Sequence, residues 1–435
     1  MRDVAPGPSA DASRVTALFR AWPLNEEPAP YDAYTHTKYF GALDGLRAFA
    51  ILLVVWFHTG TQTEGIFSRG LGVTLFFATS GFLITTILLR EQAKTGSISV
   101  RNFYIRRTLR IFPLYYSVLA LYVVLVKALE GDAALSAQFF VNLPYYLTFT
   151  SNWFVTPDVG HRVIFYFAWS LATQEQFYFT WPVVLRFARS WYVPVGVMTS
   201  LFLAGEATRW AVQSGHLLQH RLGVRILAGI AGPICLGSLA AYLLHRRGGF
   251  RIGYRVAGQA WSAPLALGLV LLPLVFERTP RLVTTFAMVY LVMACAVRPG
   301  SLRPVLENRL ARHIGTISFG LYLLHMLAVN LVRRLAPSEG RFVTFGLGVT
   351  ITILAASMSY RFFEQPFLEL KRRFIGQARP TASPRLSAGS PLRPPVVSGS
   401  DAQVIAFVEK TAGAVGYASK AAVRPAGVRA IAVSE

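Results

Sequence analysis

Apolar residues in this chain gather in long runs separated by short polar connections. The first run is LDGLRAFAILLVVWFH, residues 43–58, inside a predicted span of 41–59. Others occupy 71–89, 111–126, 165–187, 193–206, 226–244, 257–276, 282–297, 314–332 and 342–363. About 20 apolar residues in a helix cross the ~30 Å hydrocarbon core of a bilayer. Such runs predict transmembrane helices, about ten in all. One stretch fits less well. FFVNLPYYLTFTSNWF, residues 139–154, has Pro144 in its middle and is short for a crossing. A re-entrant or interfacial segment on the external side is expected there. The fold class predicted is all-α, a polytopic integral membrane helix bundle.

Composition agrees with the pattern. Of 435 residues, 53% are hydrophobic and only 15% charged, where a soluble domain carries about 25% charged residues. Mean hydropathy is +0.44. The net charge of +22 is mostly arginine placed between apolar runs. There it sets topology and meets anionic lipid. No basic, aromatic surface domain is visible, so nucleic acid is not an expected partner. Cys235 and Cys295 both lie inside apolar runs and imply no disulfide framework.

Charge then fixes orientation. The connection REQAKTGSISVRNFYIRRTLRIFP carries six basic residues against one acid, Glu91, and reads as a cytoplasmic loop. HRRGGFRIGYR and RPGSLRPVLENRLARH read as inside, and ERTPR and RRLAPSEGR as outside. Arg209, Arg221 and Arg225 fall on an outside loop, against the rule. Both termini are then cytoplasmic, and His58 lies toward the external side. Residues 1–38, rich in Pro, Ala and acids and without a signal-peptide core, are expected to be a disordered cytoplasmic segment. Residues 39–374 form the transmembrane domain. Residues 375–435 are expected to be a disordered cytoplasmic tail. The localisation expected is the inner (plasma) membrane, multi-pass. No internal repeat argues for an inverted-repeat transporter.

The costly residues carry the chemistry. Arg47 and His58 are eleven positions apart, three helical turns plus about 20°, so they share a helix face about 16 Å apart. Ionisable groups at membrane depth are functional candidates by default. His58, with an ordinary imidazole pKa near 6.5, suits a general base that deprotonates a hydroxyl. A buried histidine bonded to a neighbouring helix is the alternative. Arg47 is either an anion contact or a partner of Asp44, three residues before it. Arg107 and Arg110, three apart in RRTLR, have the geometry to grip a phosphate, or they are topology-setting, lipid-facing charges. Glu175, flanked by Gln174 and Gln176, sits at membrane depth. It could orient the histidine, touch a sugar hydroxyl, or join a helix–helix hydrogen bond. His325 in SFGLYLLHML shares the ambiguity. Glu364 in RFFEQP is expected to pair with Arg361 at a helix end. Ser80-Gly81 should let another helix approach closely.

Six stretches in order carry a resemblance: LDGLRAFAILLVVWFH, GVTLFFATSGFLIT, RNFYIRRTLRIFPLYY, WSLATQEQFYFTWP, ISFGLYLLHM and RFFEQP. Together, over residues 41–374, they resemble the membrane-bound acyltransferase-3 family, whose members O-acylate sugars and other acceptors. The resemblance implies that an arginine-x10-histidine pattern falls on Arg47 and His58, with His58 catalytic. It implies that an arginine-x-x-arginine pattern on Arg107 and Arg110 meets the acyl-CoA donor. The family's run Ser-Val-Glu-Glu-Gln-Phe-Tyr is here Ala-Thr-Gln-Glu-Gln-Phe-Tyr, which leaves only Glu175 of its two acids. The aromatic-x-Glu-x-Pro ending falls on Phe362, Glu364 and Pro366. Some members carry an appended esterase-like domain. This chain has a short tail instead and is expected to act as a stand-alone membrane unit.

The expected activity is O-acyl transfer, acetyl being the expected group, from acyl-CoA to a hydroxyl of a carbohydrate, glycolipid or other cell-envelope acceptor. His58 and Glu175 are the catalytic candidates. Arg47, Arg107 and Arg110 are the substrate-binding candidates. No metal and no permanently bound cofactor are expected; acyl-CoA is the co-substrate. A proton-coupled transporter using His58 and Glu175 as relay groups is the alternative.

Overall fold

A computed structural model describes residues 29–37, 39–60, 70–156, 163–218, 220–276, 279–298 and 300–374. All belong to one compact unit that ends at residue 376. The expectations for most of the N-terminal segment, for the loop 61–69 and for the tail 375–435 lie outside the described residues.

Every apolar run is helical, and no strand occurs among the described residues. The elements are α1 (Ala29–His36), α2 (Gly41–Thr59), α3 (Leu71–Thr95), α4 (Val100–Leu129), α5 (Ala133–Leu147), α6 (Ser151–Phe154), α7 (Ala168–Phe187) and α8 (Tyr192–Gln213). They continue as α9 (Leu222–Ala228), α10 (Gly232–His245), α11 (Arg247–Ala257), α12 (Ser262–Leu271), α13 (Arg281–Val297) and α14 (Arg303–Leu306). The last are α15 (Arg309–Thr316), α16 (Ser318–Leu335), α17 (Arg341–Ser359), a π-turn (Tyr360–Glu364) and α18 (Gln365–Phe374).

Four helices are long and apolar enough to cross a membrane: α2, α3, α4 and the run Arg341–Leu370. Three pairs qualify jointly but bend at a short break, α9 with α10 by 44°, α11 with α12 by 72°, and α15 with α16 by 78°. The described residues thus hold four to seven candidate membrane-spanning helices by length and composition, where ten were expected from the runs. The 17-residue α13 is apolar but shorter. Helix α7 reaches 20 residues but carries Gln174, Glu175 and Gln176, and the 22-residue α8 carries Glu206 and Arg209. The stretch with Pro144 is split between the second half of α5 and the short α6, and α5, with 15 residues and about 22 Å, is short for a crossing.

Three connections read as loops are largely helical. Only residues 96–99 separate α3 from α4, so Arg106, Arg107 and Arg110 stand on a helix. The Glu91 carboxylate accepts from the Ser99 amide at 2.9 Å and from Arg106 at 3.3 Å, which holds this turn. HRRGGFRIGYR forms α11, with Phe250, Gly253 and Ala257 buried on one side. Part of RPGSLRPVLENRLARH forms α14 and α15. High basic content hid their helical period. Arg209 is likewise on α8 and not on a loop. It pairs with Glu206 and donates to the carbonyls of Ala228 at 2.7 Å and Ile230 at 2.8 Å, which the break between α9 and α10 leaves unpaired.

Glycines set the closest crossings. A Cβ on Gly81 would collide with the Ile234 carbonyl oxygen, and one on Gly237 with that of Ala78. Helices α3 and α10 therefore touch backbone to backbone, the close approach expected at Gly81. Gly72 does the same for α3 against the Ala50 carbonyl of α2. At the start of α2, Gly45 abuts the Leu306 backbone and Gly315 abuts Asp44. These contacts draw α3, α14 and α15 against α2, and the space enclosed with α4, α7 and α16 becomes the site.

Candidate active site

Two cavities open along α2. The larger, about 400 Å³, lies at the Arg47 end and is bordered by α3, α4, α7 and α16 as well. Its charged lining is Arg47, Arg90, Arg107 and Arg110 against Asp44 and Glu175. The smaller, about 240 Å³, contains His58 at the other end of α2, with Phe57, Tyr166, Phe167 and Trp169 around it. Among the described residues, two side chains border both cavities, Val73 of α3 and Tyr322 of α16.

The arginine cavity is built mainly by five helices, α2, α3, α4, α7 and α16. Arg47 donates to the Ser318 hydroxyl at 2.8 Å and stands 3.7 Å from the Asp44 carboxylate. The structural pairing with Asp44 and a cavity-facing guanidinium therefore coexist. Arg107 and Arg110, one turn apart on α4, are within electrostatic reach of Arg47, so three cations converge. Such a convergence is costly unless anions neutralise it. The Arg107 guanidinium lies over the Tyr178 ring at 4.6 Å. Arg90, on α3, donates to the carbonyls of Thr37 at 2.5 Å and Tyr34 at 2.6 Å, tying the N-terminal helix to the cavity rim. At that rim Tyr39 donates to Asp44, and burial, helped by the Asp44 carboxylate, pushes its phenol up to about 12.

The Gln174-Glu175-Gln176 triplet divides around α7. Gln174 donates to Ser80 and to the Tyr178 hydroxyl, and both neighbours line the cavity. Glu175, 4% exposed, lines the same cavity, and Arg107 is its charged neighbour. Gln176 points elsewhere, bonded to Asn152 and to the Phe149 carbonyl at 2.8 Å. Helix–helix hydrogen bonds thus absorb both glutamines. Glu175 sits with the arginines and does not border the His58 cavity.

Glu364 also departs from expectation. No ion pair joins it to Arg361, which is exposed and lies over Phe362. The π-turn adds a residue to the helix and swings Glu364 inward, where it is 8% exposed, accepts from Ser359 at 3.4 Å and interacts with Arg110. Such turns are frequent at functional sites.

His58 has a defined tautomer. Its Nδ1 lies 2.9 Å from the Val54 carbonyl oxygen, which can only accept, so Nδ1 carries the proton and Nε2 is free to act as base. Its own carbonyl accepts from Arg333 at 2.8 Å. The ring of His325 packs against it, centroids 4.8 Å apart. His325 is fully buried, donates Nδ1–H to the Tyr322 carbonyl at 2.6 Å, and leaves Nε2 without a hydrogen-bond partner. A histidine pair is therefore the arrangement at this end. Among the described residues, no carboxylate contributes.

Sequence reasoning missed Val73, Ser170 and Tyr322. The Tyr322 hydroxyl donates to the Phe167 carbonyl at 3.0 Å and bonds the Ser170 hydroxyl at 2.6 Å. One signal was available for the tyrosine: its spacing of three from His325 puts both on one helix face. Val73 has no such signal, because an apolar residue in an apolar helix looks the same on every face.

Comparison with known proteins bears on this arrangement. A family model described as an acyltransferase domain matches residues 40–361. A Staphylococcus aureus (strain COL) protein named "Putative O-acetyltransferase" is 27% identical over 372 residues, which cover 78% of this chain and 58% of that protein. The "O-acetyltransferase OatA" of Staphylococcus aureus (strain NCTC 8325 / PS 47) is 28% identical over 359 residues, 76% of this chain and 57% of the relative. The chain thus spans somewhat more than half the length of the curated relatives it matches. No solved structure matches.

Proposed function

The chain belongs to this acyltransferase family, and from that premise we propose that it moves an acyl group, acetyl by preference, from acyl-CoA to a hydroxyl of a carbohydrate or other cell-envelope acceptor. One observation carries the reading: a single helix bears an arginine-lined cavity at one end and a free imidazole nitrogen at the other, with a common wall between. The names of the S. aureus relatives support acetyl as the group and oxygen as the acceptor atom.

Arg107 and Arg110, with Arg47, grip the phosphates of the donor through charge-assisted, bidentate hydrogen bonds. Glu175 steadies Arg107, and Glu364 steadies Arg110. The acyl arm runs along α2 toward His58. The acceptor enters the second cavity, where Tyr166 and Trp169 offer flat apolar faces for a sugar ring. His58 Nε2 takes the hydroxyl proton as that oxygen attacks the thioester carbonyl. A C–O bond forms, the C–S bond breaks, and the departing CoA thiolate recovers the proton from His58.

In this reading the chain makes about ten passes through the plasma membrane, with both termini and the arginine cavity cytoplasmic. The α3–α4 turn region, dense in arginine, supports that orientation.

The test is release of free CoA thiol from acetyl-CoA by the purified chain in detergent, with cell-envelope glycan supplied. Wild type should release thiol and His58→Ala should not, by at least about 100-fold, while remaining monodisperse. A His58→Ala variant with the wild-type rate would overturn the reading. Solute flux driven by a pH gradient, with no thiol released, would replace it with the transporter alternative.

A further inference from the structure

We infer that the wall shared by the two cavities, Val73 against Tyr322, is the passage through which the acyl group reaches His58, and that it sets the acyl length the enzyme accepts. The inference rests on the acyl-transfer reading above and adds a specificity-determining residue, Val73.

Phosphate-binding arginines border one cavity and the base borders the other, so a donor held by the first must present its acyl carbon across their common boundary. The two sides of that boundary differ in rigidity. Tyr322 is 6% exposed, and its hydroxyl is fixed by the Phe167 carbonyl and by Ser170, itself 3% exposed. Its ring packs edge-on against Phe76, centroids 6.3 Å apart, and against Phe167 at 5.8 Å. Moving it would leave a buried hydroxyl unpaired. Val73 is half-buried and makes no polar contact that fixes it.

The backbone beneath Val73 has no freedom to retreat. Gly72, just before it, is packed on the Ala50 carbonyl, and a Cβ there would stand 2.7 Å from Val54 Cγ2. Val54 supplies the carbonyl that orients His58. Helix α3 is thus pressed on α2 one turn from the base, and the width of the passage is the size of the side chain at position 73. Beyond it, Phe57 and Trp169 help close a cavity of about 240 Å³ that must also admit the acceptor hydroxyl. A two-carbon group fits such a space and a longer chain crowds it. The bonds made and broken are those of the transfer described above; position 73 decides only which acyl groups arrive.

The experiment uses membranes holding the full chain, with acetyl-, butanoyl- and hexanoyl-CoA as probes and free thiol above empty-vector membranes as the readout. Wild type should favour acetyl. Val73→Ala should raise the hexanoyl-to-acetyl rate ratio by about tenfold or more, and Val73→Phe should lower the butanoyl-to-acetyl ratio similarly, since one methylene in an apolar pocket discriminates by ~10- to 200-fold. A wild type equally fast with all three donors overturns the inference. So does a Val73→Ala chain-length profile identical to wild type, and the small alanine decides the matter should the phenylalanine variant not fold. Absence of thiol release from any donor by wild type would instead remove the acyl-transfer reading itself.

Discussion

The imidazole of His58 meets the imidazole of His325 edge to face, centroids 4.8 Å apart, and each ring donates its Nδ1–H to a carbonyl of its own helix. Both Nε2 atoms are therefore free lone pairs in the neutral form. Of the two rings, His58 lines the smaller cavity and His325 lines neither of the cavities described. With His58 as the proposed base, His325 is a positioning residue that fixes its ring from behind.

That assignment predicts a split between packing and polarity. His325→Ala removes the wall behind His58 and should lower kcat about tenfold, with KM for acyl-CoA unchanged because the arginines lie in the other cavity. His325→Phe keeps a ring there and abolishes a buried nitrogen without a partner, a group whose burial costs about 1–3 kcal/mol. It should recover most of the rate and unfold no earlier than wild type. Kinetics and thermal unfolding in detergent check both. A phenylalanine variant as inactive as His58→Ala would assign the imidazole itself to the chemistry.

The arginine cavity, as the proposed donor site, predicts the opposite kinetic signature. Arg110→Ala removes one of three converging guanidinium groups, with charge-assisted bonds worth about 1.5–3 kcal/mol. KM for acyl-CoA should rise by roughly 10- to 150-fold, and kcat should fall far less. Arg110→Lys should restore little, because an ammonium lacks the planar fork that meets two phosphate oxygens. Added salt should weaken wild-type binding and have a smaller effect on Arg110→Ala. Initial rates at two ionic strengths read all three outcomes.

How much of this the sequence carried depends on the kind of signal. Long apolar runs have a length physics demands, so each run became helical, though some of them in two bent pieces. The arginines at 47, 107 and 110 and His58 were costly enough to become candidates, and the ordered family motifs, not their cost alone, favoured function over packing. Helix breaks are different. The bend at Ile317 and the gap between α9 and α10 exist because neighbours supply the missing partners, as Arg209 does for the Ala228 and Ile230 carbonyls. A sequence does not show which neighbour will be present. Glu364 turned inward because a π-turn shifts the register by one residue, which three-residue spacing to Arg361 could not anticipate. Val73 became important only through what α16 places opposite it.

The α3–α10 crossing yields a stability prediction. Gly81 and Gly237 each face the other helix's backbone, and an added Cβ collides with a carbonyl in both cases. Gly237→Ala should separate the helices and destabilise the bundle by about 1–3 kcal/mol, the usual range for overpacking. Gly196 of α8 is the control. A Cβ there meets nothing within 4 Å, so Gly196→Ala should be neutral or stabilising by up to about 1 kcal/mol. Equal effects of the two substitutions on thermal unfolding would mean that the crossing is looser than described.

Orientation in the membrane is testable because both native cysteines are hidden, Cys235 at 4% and Cys295 at 2% exposed. A single introduced cysteine therefore reports its own location. Ser97 is exposed on the short turn between α3 and α4, near the arginine end of α2. Ser338 is exposed on the connection between α16 and α17, beside the His58 end, where Arg333 and Arg341 reach the carbonyls of His58 and Trp56. The two lie toward opposite ends of α2. If the arginine cavity faces the cytoplasm, a membrane-impermeant maleimide should label Ser338→Cys in intact cells and Ser97→Cys only after the membrane is opened. The reverse pattern would put the donor site outside, where acyl-CoA is absent, and cytoplasmic acyl-CoA could not be the donor. Labelling of both in intact cells would mean that the two ends of α2 do not face opposite sides of the bilayer.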